Sequence, residues 1–592
     1  MLGRRLIGAV VIALIVMAAR PVRADVAYSV DIKTVGVKDK ALSGALDNAS
    51  QLVALKDRPP PSAASLRRRA EDDLSRLRDV MHAAGYWDAL VAFTADTNVA
   101  PARVTVTVTP GLLFHLKSVA FVLPSGAPAT LPSHEGPAAL GLTLGGPALS
   151  APVEGGDARI VALFGQNGQP FAQVTDRRVV VDVASKTMSV TYTIEPGPHA
   201  TFGATTIDGL RGVHRDFVTR RIAWTEGAPY DERQVEATRS DLTRSGLFSG
   251  VEVRHAEAPA PDGSVAMTID LIEGPPHSVG AGAGYNTNIG LGARAFWEDR
   301  NLFGEGEDLK LTAGAAQKQL GVAANFRRPD FLMRKQDLIV NAELLHQTTD
   351  AYISRREDAY AGVEELMFPP YTFGGGVALE RATLTELARD ENYFLIGAPL
   401  YVRRDTTDDI LNPTRGTRTT FTITPYHGLS SRSLDFVTSR LDERSYFSLT
   451  DDNRFVLAGY GAIGSVEGPN LDDLPADKRL YAGGSGSVRG YDYQRAGPLD
   501  QYLIPVGGRS SLELGTELRY RITDTVGLVP FVDAGNVYPS NYPDNLSLFY
   551  GAGLGLRYYT LIGPLRLDLA FPLEKRPSDR PFQIYLSLGQ AF

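Results

Sequence analysis

The residues best suited to a strong polar interaction are an arginine set among glycines, Gly483-Gly484-Ser485 through Val488-Arg489-Gly490-Tyr491. A guanidinium presents a planar fork of donors that can hold a carboxylate by two parallel hydrogen bonds. The flanking glycines let the backbone lie close to a wall. Downstream, if Leu512, Leu514 and Leu518 share one face of a strand, Glu513, Glu517, Arg519 and Arg521 share the other. This is the chemistry of ion pairing and positioning, and taken alone the arginine could equally be a solvated loop charge. Bond-making chemistry has little support. Gly459, Gly461 and Gly464 match G-x-G-x-x-G, but they lie in an alternating segment with no helix after it, so the context of a dinucleotide site is missing. No P-loop, H-E-x-x-H or G-x-S-x-G string occurs, and the 9 histidines are scattered. With 0 cysteines, neither a disulfide nor a thiolate metal site can form. No enzyme, metal or cofactor is expected.

The elements that must carry these residues are strands. From Ser278 to Phe592 the chain shows alternating segments of about ten residues separated by turns, and at roughly 20 residues per strand and connection this makes about 16 strands. Leu565, Leu567, Leu569 and Phe571 alternate with Arg566, Asp568 and Ala570; near the end, Phe582, Ile584, Leu586, Leu588, Gln590 and Phe592 share one parity. Mean hydropathy is slightly negative, which argues against membrane helices only, because a barrel shows lipid every second residue. Beyond the N-terminus there is no apolar run of eighteen residues, so a membrane-embedded form must be a closed barrel. A soluble β-sandwich would show a less charge-interrupted face over about one hundred residues.

At the N-terminus, Arg4 and Arg5 precede an apolar run from Leu6 to Ala19, and Val22-Arg23-Ala24 supplies small or short residues for cleavage after Ala24. The run is shorter than the roughly 20 residues of a spanning helix. Without residues 1–24 the chain has 56 basic and 68 acidic residues, a net charge of −12, and no basic footprint for nucleic acid.

Between Asp25 and Pro275 a strand, two helical segments and a strand pair recur about every 80 residues. In the third copy Phe202 to Asp208 reads as a strand, Arg215 to Trp224 and Glu232 to Ser245 as helices, then Gly250 to His255 and Val265 to Ile272 as strands. In the first, Leu66, Ala70, Leu74, Leu77, Met81 and Ala84 keep the helical period up to Gly85. In the second, Pro124 to Pro152 is rich in Gly, Pro and Ala, which weakens its first helix. The string Gly85-Tyr86-Trp87-Asp88-Ala89-Leu90-Val91 is echoed by Gly168-Gln169-Pro170-Phe171-Ala172-Gln173-Val174, and Pro110-Gly111 by Pro196-Gly197 and Gly274-Pro275.

These modules resemble POTRA domains. The second half resembles the barrel of the BamA/TamA superfamily through an ordered set of strings: Trp297-Glu298-Asp299-Arg300-Asn301-Leu302-Phe303-Gly304-Glu305-Gly306-Glu307, Arg404-Asp405 through Asn412-Pro413-Thr414-Arg415-Gly416, the arginine loop, Phe531-Val532-Asp533-Ala534-Gly535-Asn536-Val537-Tyr538, and Tyr558-Tyr559-Thr560 through Gly563-Pro564-Leu565-Arg566-Leu567-Asp568. The resemblance implies residues 1–24 as signal peptide, 25–111, 112–197 and 198–275 as three periplasmic POTRA modules, and 276–592 as an outer-membrane barrel. It implies that the arginine loop is the sixth loop, folded into the lumen, with Gly484, Ser485, Val488, Arg489, Gly490 and Tyr491 as its motif and Glu517 and Asp533, on strands twelve and thirteen, as the partners of Arg489. It implies a lateral gate between the first strand, with Gly280, Gly282 and Gly284, and the last, ending at Phe592; interior strand glycines weaken pairing, although they could also relieve crowding in the lumen. Three modules resemble TamA more than BamA, which usually carries five, or a two-partner secretion translocator, which usually carries two. The implied work is assembly or export of unfolded outer-membrane proteins, autotransporters among them, with a TamB-like partner anchored in the inner membrane. A dedicated secretion pore, with an open lumen, and a passive porin or receptor are the alternatives.

Overall fold

The computed structural model describes residues 25–592 except 38, 133–135, 388, 431–433, 561–562 and 592, so the expected leader and the terminal Phe592 lie outside the described residues. The chain divides into two compact units. One runs to Thr206 and includes Ala223–Ala237 and Val253–Thr268; the other comprises Ile207–Ile222, Thr238–Glu252 and Ile269–Phe592.

Three small three-stranded sheets precede the barrel, each with its third strand in the middle. In the first, Ala102–Thr109 lies parallel to Tyr28–Thr34 and antiparallel to Leu90–Asp96. The helix Ala63–Ala83 covers it, capped where Ser62 Oγ accepts from Ser65 N, with Leu66, Ala70, Leu77 and Met81 fully buried. Buried Asp73 on the same helix accepts from the backbone N–H groups of Gln51 and Leu52 and so caps the short helix Gln51–Ala54. The second sheet comprises His115–Val122, Thr187–Glu195 and Gln173–Asp182. Among its described residues the Gly/Pro-rich segment forms a 3-10 turn, Gly136–Leu140, before the helices Ser150–Glu154 and Gly156–Gly165. The third comprises Thr201–Asp208, Ser264–Glu273 and Phe248–His255. Its first helix is shorter than the periodicity predicts, ending at Thr219 rather than Trp224. The Trp224 indole leaves the helix to stack on Phe202 at 5.2 Å and donates to Thr205 Oγ1.

The repeated glycines join segments as well as stopping helices. Gly85 and Gly168 have φ of 90° and 92°; their carbonyls accept from Phe114 N and Ala200 N, at the start of the segment that follows. Beside Gly85, Trp87 Nε1 donates to the Ala148 carbonyl and Asp88 pairs with Lys186 at 2.6 Å.

The barrel sheet contains seventeen ladder segments in strictly sequential order. Two of them, Arg389–Gly397 and Leu400–Asp405, both pair with Tyr371–Glu386 and flank Ala398-Pro399, so they are one interrupted strand and the total is sixteen. Strand one is His277–Asn286, strand two Gly290–Asp299, strand three Asp308–Ala316, and the interrupted strand is the eighth. Strand nine is Gly416–Gly428, eleven Phe455–Glu467, twelve Ser510–Arg521, thirteen Val526–Tyr538, fourteen Phe549–Thr560, fifteen Gly563–Pro572 and sixteen Gln583–Leu588. Odd strands run away from the end at which the chain enters the barrel at His277, termed the module side, and even strands return, so the turn 406–415 is on that side and the loop 468–509 on the far side. Alternation places Leu514, Leu554, Leu567 and Leu586 outward, each at least 44% exposed, while Glu513, Glu517 and Arg519 are at most 4% exposed.

One parity assignment changes. Gln590 does not continue the outward row of the last strand, because Gly589 at φ 93° ends the extended backbone and the amide turns to the lumen side.

Candidate functional site: the docked loop and the seam

Strands twelve to fifteen form a wall whose inward parity carries alternating charge. Glu517 stands on twelve, Asp533 on thirteen, Arg557 on fourteen, and Arg566 and Asp568 on fifteen. The loop 468–509 returns to this wall and delivers Arg489, which is 1% exposed. Its Nε and Nη2 donate to the two oxygens of Asp533 at 2.6 and 2.8 Å, and its own backbone N–H donates to the same carboxylate at 3.1 Å. Nη1 donates to Glu517 at 2.7 Å and to Asp568 at 2.9 Å, and the guanidinium carbon lies 3.5 Å from the centre of the Phe531 ring. Arg519 donates to Glu517, Arg566 to Asp568, and Arg557 to both. Four arginines and three carboxylates thus form one buried network, every carboxylate accepting from at least two arginines or a bidentate fork. A buried charge is tolerated only when paired and hydrogen-bonded in this way.

The wall is shaped for the loop. A Cβ at Gly551 would fall inside the carbonyl oxygen of Arg489, and one at Gly535 would sit 2.8 Å from Val488 Cγ2. On the loop, Gly490 has φ 105° and its position would place a Cβ 2.8 Å from the Phe571 backbone. Val488 and Tyr491 are buried, and the Tyr491 hydroxyl reaches the carbonyls of Tyr550 and Glu574. Gly484 (φ 99°) and Ser485 lie farther along, where the Ser485 carbonyl accepts from Arg566 and its hydroxyl from Asn288.

The structure therefore brings Arg489, Glu517 and Asp533 together. Sequence reasoning missed Asp568 as a third partner of Arg489, together with Arg557; inward parity beside the quoted strand-fifteen string was the available signal. It also missed a second attachment on another wall. The loop's Asp477 accepts from Tyr393 Oη at 2.6 Å, Lys478 pairs with Glu380, and Arg479 donates to Glu386 at 2.7 Å. Arg479 and the Asp477-Lys478 pair carry no spacing signal, since nothing local shows where so long a loop will land.

Strand one pairs with strand two over ten residues, from His277 to Asn286. Among the described residues no ladder joins it to strand sixteen, itself only six residues long. What spans this seam is sparse. Thr287 Oγ1 donates to the Ile584 carbonyl at 2.8 Å, and the loop touches both sides, through Asn288 to Ser485 and through Tyr585 Oη, which accepts from Gly490 N and donates to the Tyr491 carbonyl. Of the strand-one glycines, Gly280 makes room for the Phe296 ring, whereas a Cβ at Gly282 or Gly284 would meet nothing within 4 Å. Phe592, the expected end of the gate, lies outside the described residues.

The string 297–307 connects strands two and three on the module side and packs with residues 207–222 of the same compact unit. Asn301 Nδ2 donates to the Gly212 carbonyl, His214 N to the Gly304 carbonyl, and Arg221 pairs with Asp330 at 2.5 Å. Glu273, which closes the third module, accepts from three successive backbone N–H groups, Arg211, Gly212 and Val213. Burial raises its carboxyl, but these three donors outweigh burial and hold it below the usual glutamate range.

Comparison with known proteins agrees with this architecture. Residues 301–592 match the Omp85 superfamily domain. The outer membrane protein assembly factor BamA of Neisseria meningitidis serogroup B is 23% identical over 490 residues, covering 72% of this chain and 61% of the relative. BamA of Nitratidesulfovibrio vulgaris is 26% identical over 456 residues, covering 72% and 56%. The chain thus spans less than two thirds of the length of these curated relatives. The crystal structure of BamA from Haemophilus ducreyi lacking POTRA domains 1–3 superposes with a TM-score of 0.65 at 18% identity, covering 80% of this chain and 99% of that one. Residues 301–592 thus carry the Omp85 superfamily domain behind three small α/β modules, an arrangement similar to the BamA/TamA superfamily, with the barrel in the outer membrane and the POTRA-like modules in the periplasm.

Proposed function

We propose that this protein assembles or exports outer-membrane proteins, resembling TamA in its three modules and taking unfolded barrel proteins, autotransporters among them, as clients. The observation that carries this reading is a barrel whose lumen holds a docked loop while its first and last strands share no ladder among the described residues. An unpaired strand edge presents a row of free N–H and C=O groups, a template for another strand. In hydrocarbon such an edge is costly unless a partner strand covers it. A client hairpin added at the seam satisfies those groups, and the client's own folding supplies the driving force, so no nucleotide is required. Strand sixteen, at about 3.3 Å per residue, spans only about 20 Å, less than the roughly 30 Å of a hydrocarbon core, which eases insertion beside it. The lumen network favours this reading over an open secretion pore or a passive porin. A TamB-like partner anchored in the inner membrane belongs to the same reading.

The test is photo-crosslinking in living cells from probes at Ala281 and Ala283 on strand one. Capture of nascent barrel proteins is the expected outcome. Capture of a single secreted protein supports a dedicated translocator instead, and transport that survives deletion of residues 25–275 supports a passive pore.

A further inference from the structure

The turn between strands eight and nine has no part in the function just described, yet it reaches across the module-side mouth of the barrel. Its shape is set internally. Asp408 accepts from the backbone N–H groups of Thr414 and Arg415 and from the Thr414 hydroxyl, and Asp409 accepts from the N–H groups of Leu411 and Asn412. Gly416, at φ 98°, closes it where a Cβ would strike the Thr406 carbonyl. The turn so braced presents Asn412-Pro413 to the opposite wall. The Pro413 carbonyl accepts from Arg519 on strand twelve at 3.3 Å, and Asn412 Oδ1 accepts from Gln590 Nε2 at 2.9 Å. Gln590 Oε1 in turn accepts from Arg557 Nε at 2.9 Å, which links the chain end to the buried network that holds the loop.

The position of Gln590 gives this contact its consequence. The last ladder pair of strand sixteen is Leu588 with Leu565, followed by one bond from Gly589 N to the Pro564 carbonyl. Among the described residues no ladder holds the strand from the other side. Beyond Gly589, the two amide bonds of Gln590 are therefore the side-chain restraints seen among the described residues at the module-side end of the seam.

We propose that Asn412 and Gln590 form a latch that holds the end of strand sixteen on the module side and sets how readily the seam opens. The latch regulates the seam of the function proposed above and rests on that reading for its purpose, but its effect on opening is measurable without any client. Release of the pair frees the chain end to swing with strand sixteen, while Arg557 remains held by Asp568 and Glu517.

The chain has 0 cysteines, so spin labels at Ala283→Cys and Leu586→Cys, on the outward faces of the two seam strands, report the open fraction of the full-length protein in native outer membrane. Asn412→Ala is expected to raise that fraction roughly three- to tenfold, the range of one neutral hydrogen bond, and Gln590→Ala, which also gives up the bond from Arg557, by at least as much. The double substitution is expected to do no more than Gln590→Ala alone, and Asn412→Asp, which keeps an acceptor for Gln590 Nε2, to stay at the parent value. Unchanged opening in Gln590→Ala, or fully additive effects of the two substitutions, overturns the latch. If Asn412→Ala lowers the folded yield, Gln590→Ala, beyond the last ladder pair, carries the test. Increased opening with unchanged client insertion upholds the latch and contradicts the proposed use of the seam.

Discussion

Two regions of one sheet are built on opposite terms. On strands twelve to fifteen, three buried arginines and three buried carboxylates form the network that holds Arg489 of the sixth far-side loop by side chain and backbone alike. Between strands sixteen and one there is no ladder among the described residues, and single side-chain bonds take its place. Packing and paired charge make the first region intolerant of change, whereas the second leaves main-chain groups for another chain to use. Immobility of the loop and availability of the seam are thus separate properties of the barrel, joined through Ser485, Gly490 and Tyr491.

The contrast is broken most severely by Arg489→Ala. Removing one member of a buried network leaves uncompensated charge, and a loss of about 3–5 kcal/mol in barrel stability is expected, read as lost heat-resistant mobility on gels. Arg495→Ala, whose partner Asp350 lies 3.6 Å away and is 42% exposed, should cost less than about 1 kcal/mol. Equal effects of the two substitutions would remove the special standing of Arg489.

Gly551→Ala attacks the same region from the wall, by overpacking against the Arg489 carbonyl. A cost of about 1–3 kcal/mol is expected, with increased protease cutting in 468–509. Gly459→Ala, where a Cβ meets nothing within 4 Å, is the matched control and should leave the loop protected.

Acidification should act more gently, at the joint below the barrel. The Glu273 carboxyl is held below its ordinary value in the folded state, so its stabilisation is present in full above the ordinary glutamate range and is lost as pH falls through the depressed folded value. Protection of the Arg211, Gly212 and Val213 amides, taken relative to their intrinsic exchange rates, should fall on acidification in the parent protein, and in Glu273→Gln that fall should vanish. The smallest effect belongs to the seam: Gly282→Ala and Gly284→Ala, with open space at both positions, should change stability by less than about 0.5 kcal/mol. A large loss at either would show that strand one is packed more tightly than its missing ladder indicates.

Much of this contrast is legible in the amino-acid order because strand parity has a period of two. Leu514 and Leu518 against Glu517 and Arg519 assign both faces of strand twelve directly, and the glycines around Arg489 mark a backbone pressed against something. The third carboxylate is harder to read, because Asp568 meets Arg489 only after the sheet curls strand fifteen towards the loop. Lys478 and Glu380 are harder still, since they are joined by the path of a long loop across the lumen. Local backbone explains the remaining differences. Gly589 turns Gln590 out of its parity row, and stacking of Trp224 on Phe202 ends a helix whose periodicity runs further. The strings 297–307 and 404–416 are recognisable as motifs, but their work is done by turns that contact distant chain, at Gly212 and Gln590, which no spacing records.

The central claim is that clients enter by the seam while the loop stays docked. It is tested most directly by a reducible disulfide between cysteines introduced on strands one and sixteen, in a chain with 0 others, with insertion of a barrel client followed before and after reduction. Insertion blocked in the oxidised protein and restored by reductant is the predicted result. Insertion at the full rate with the seam locked would contradict the account.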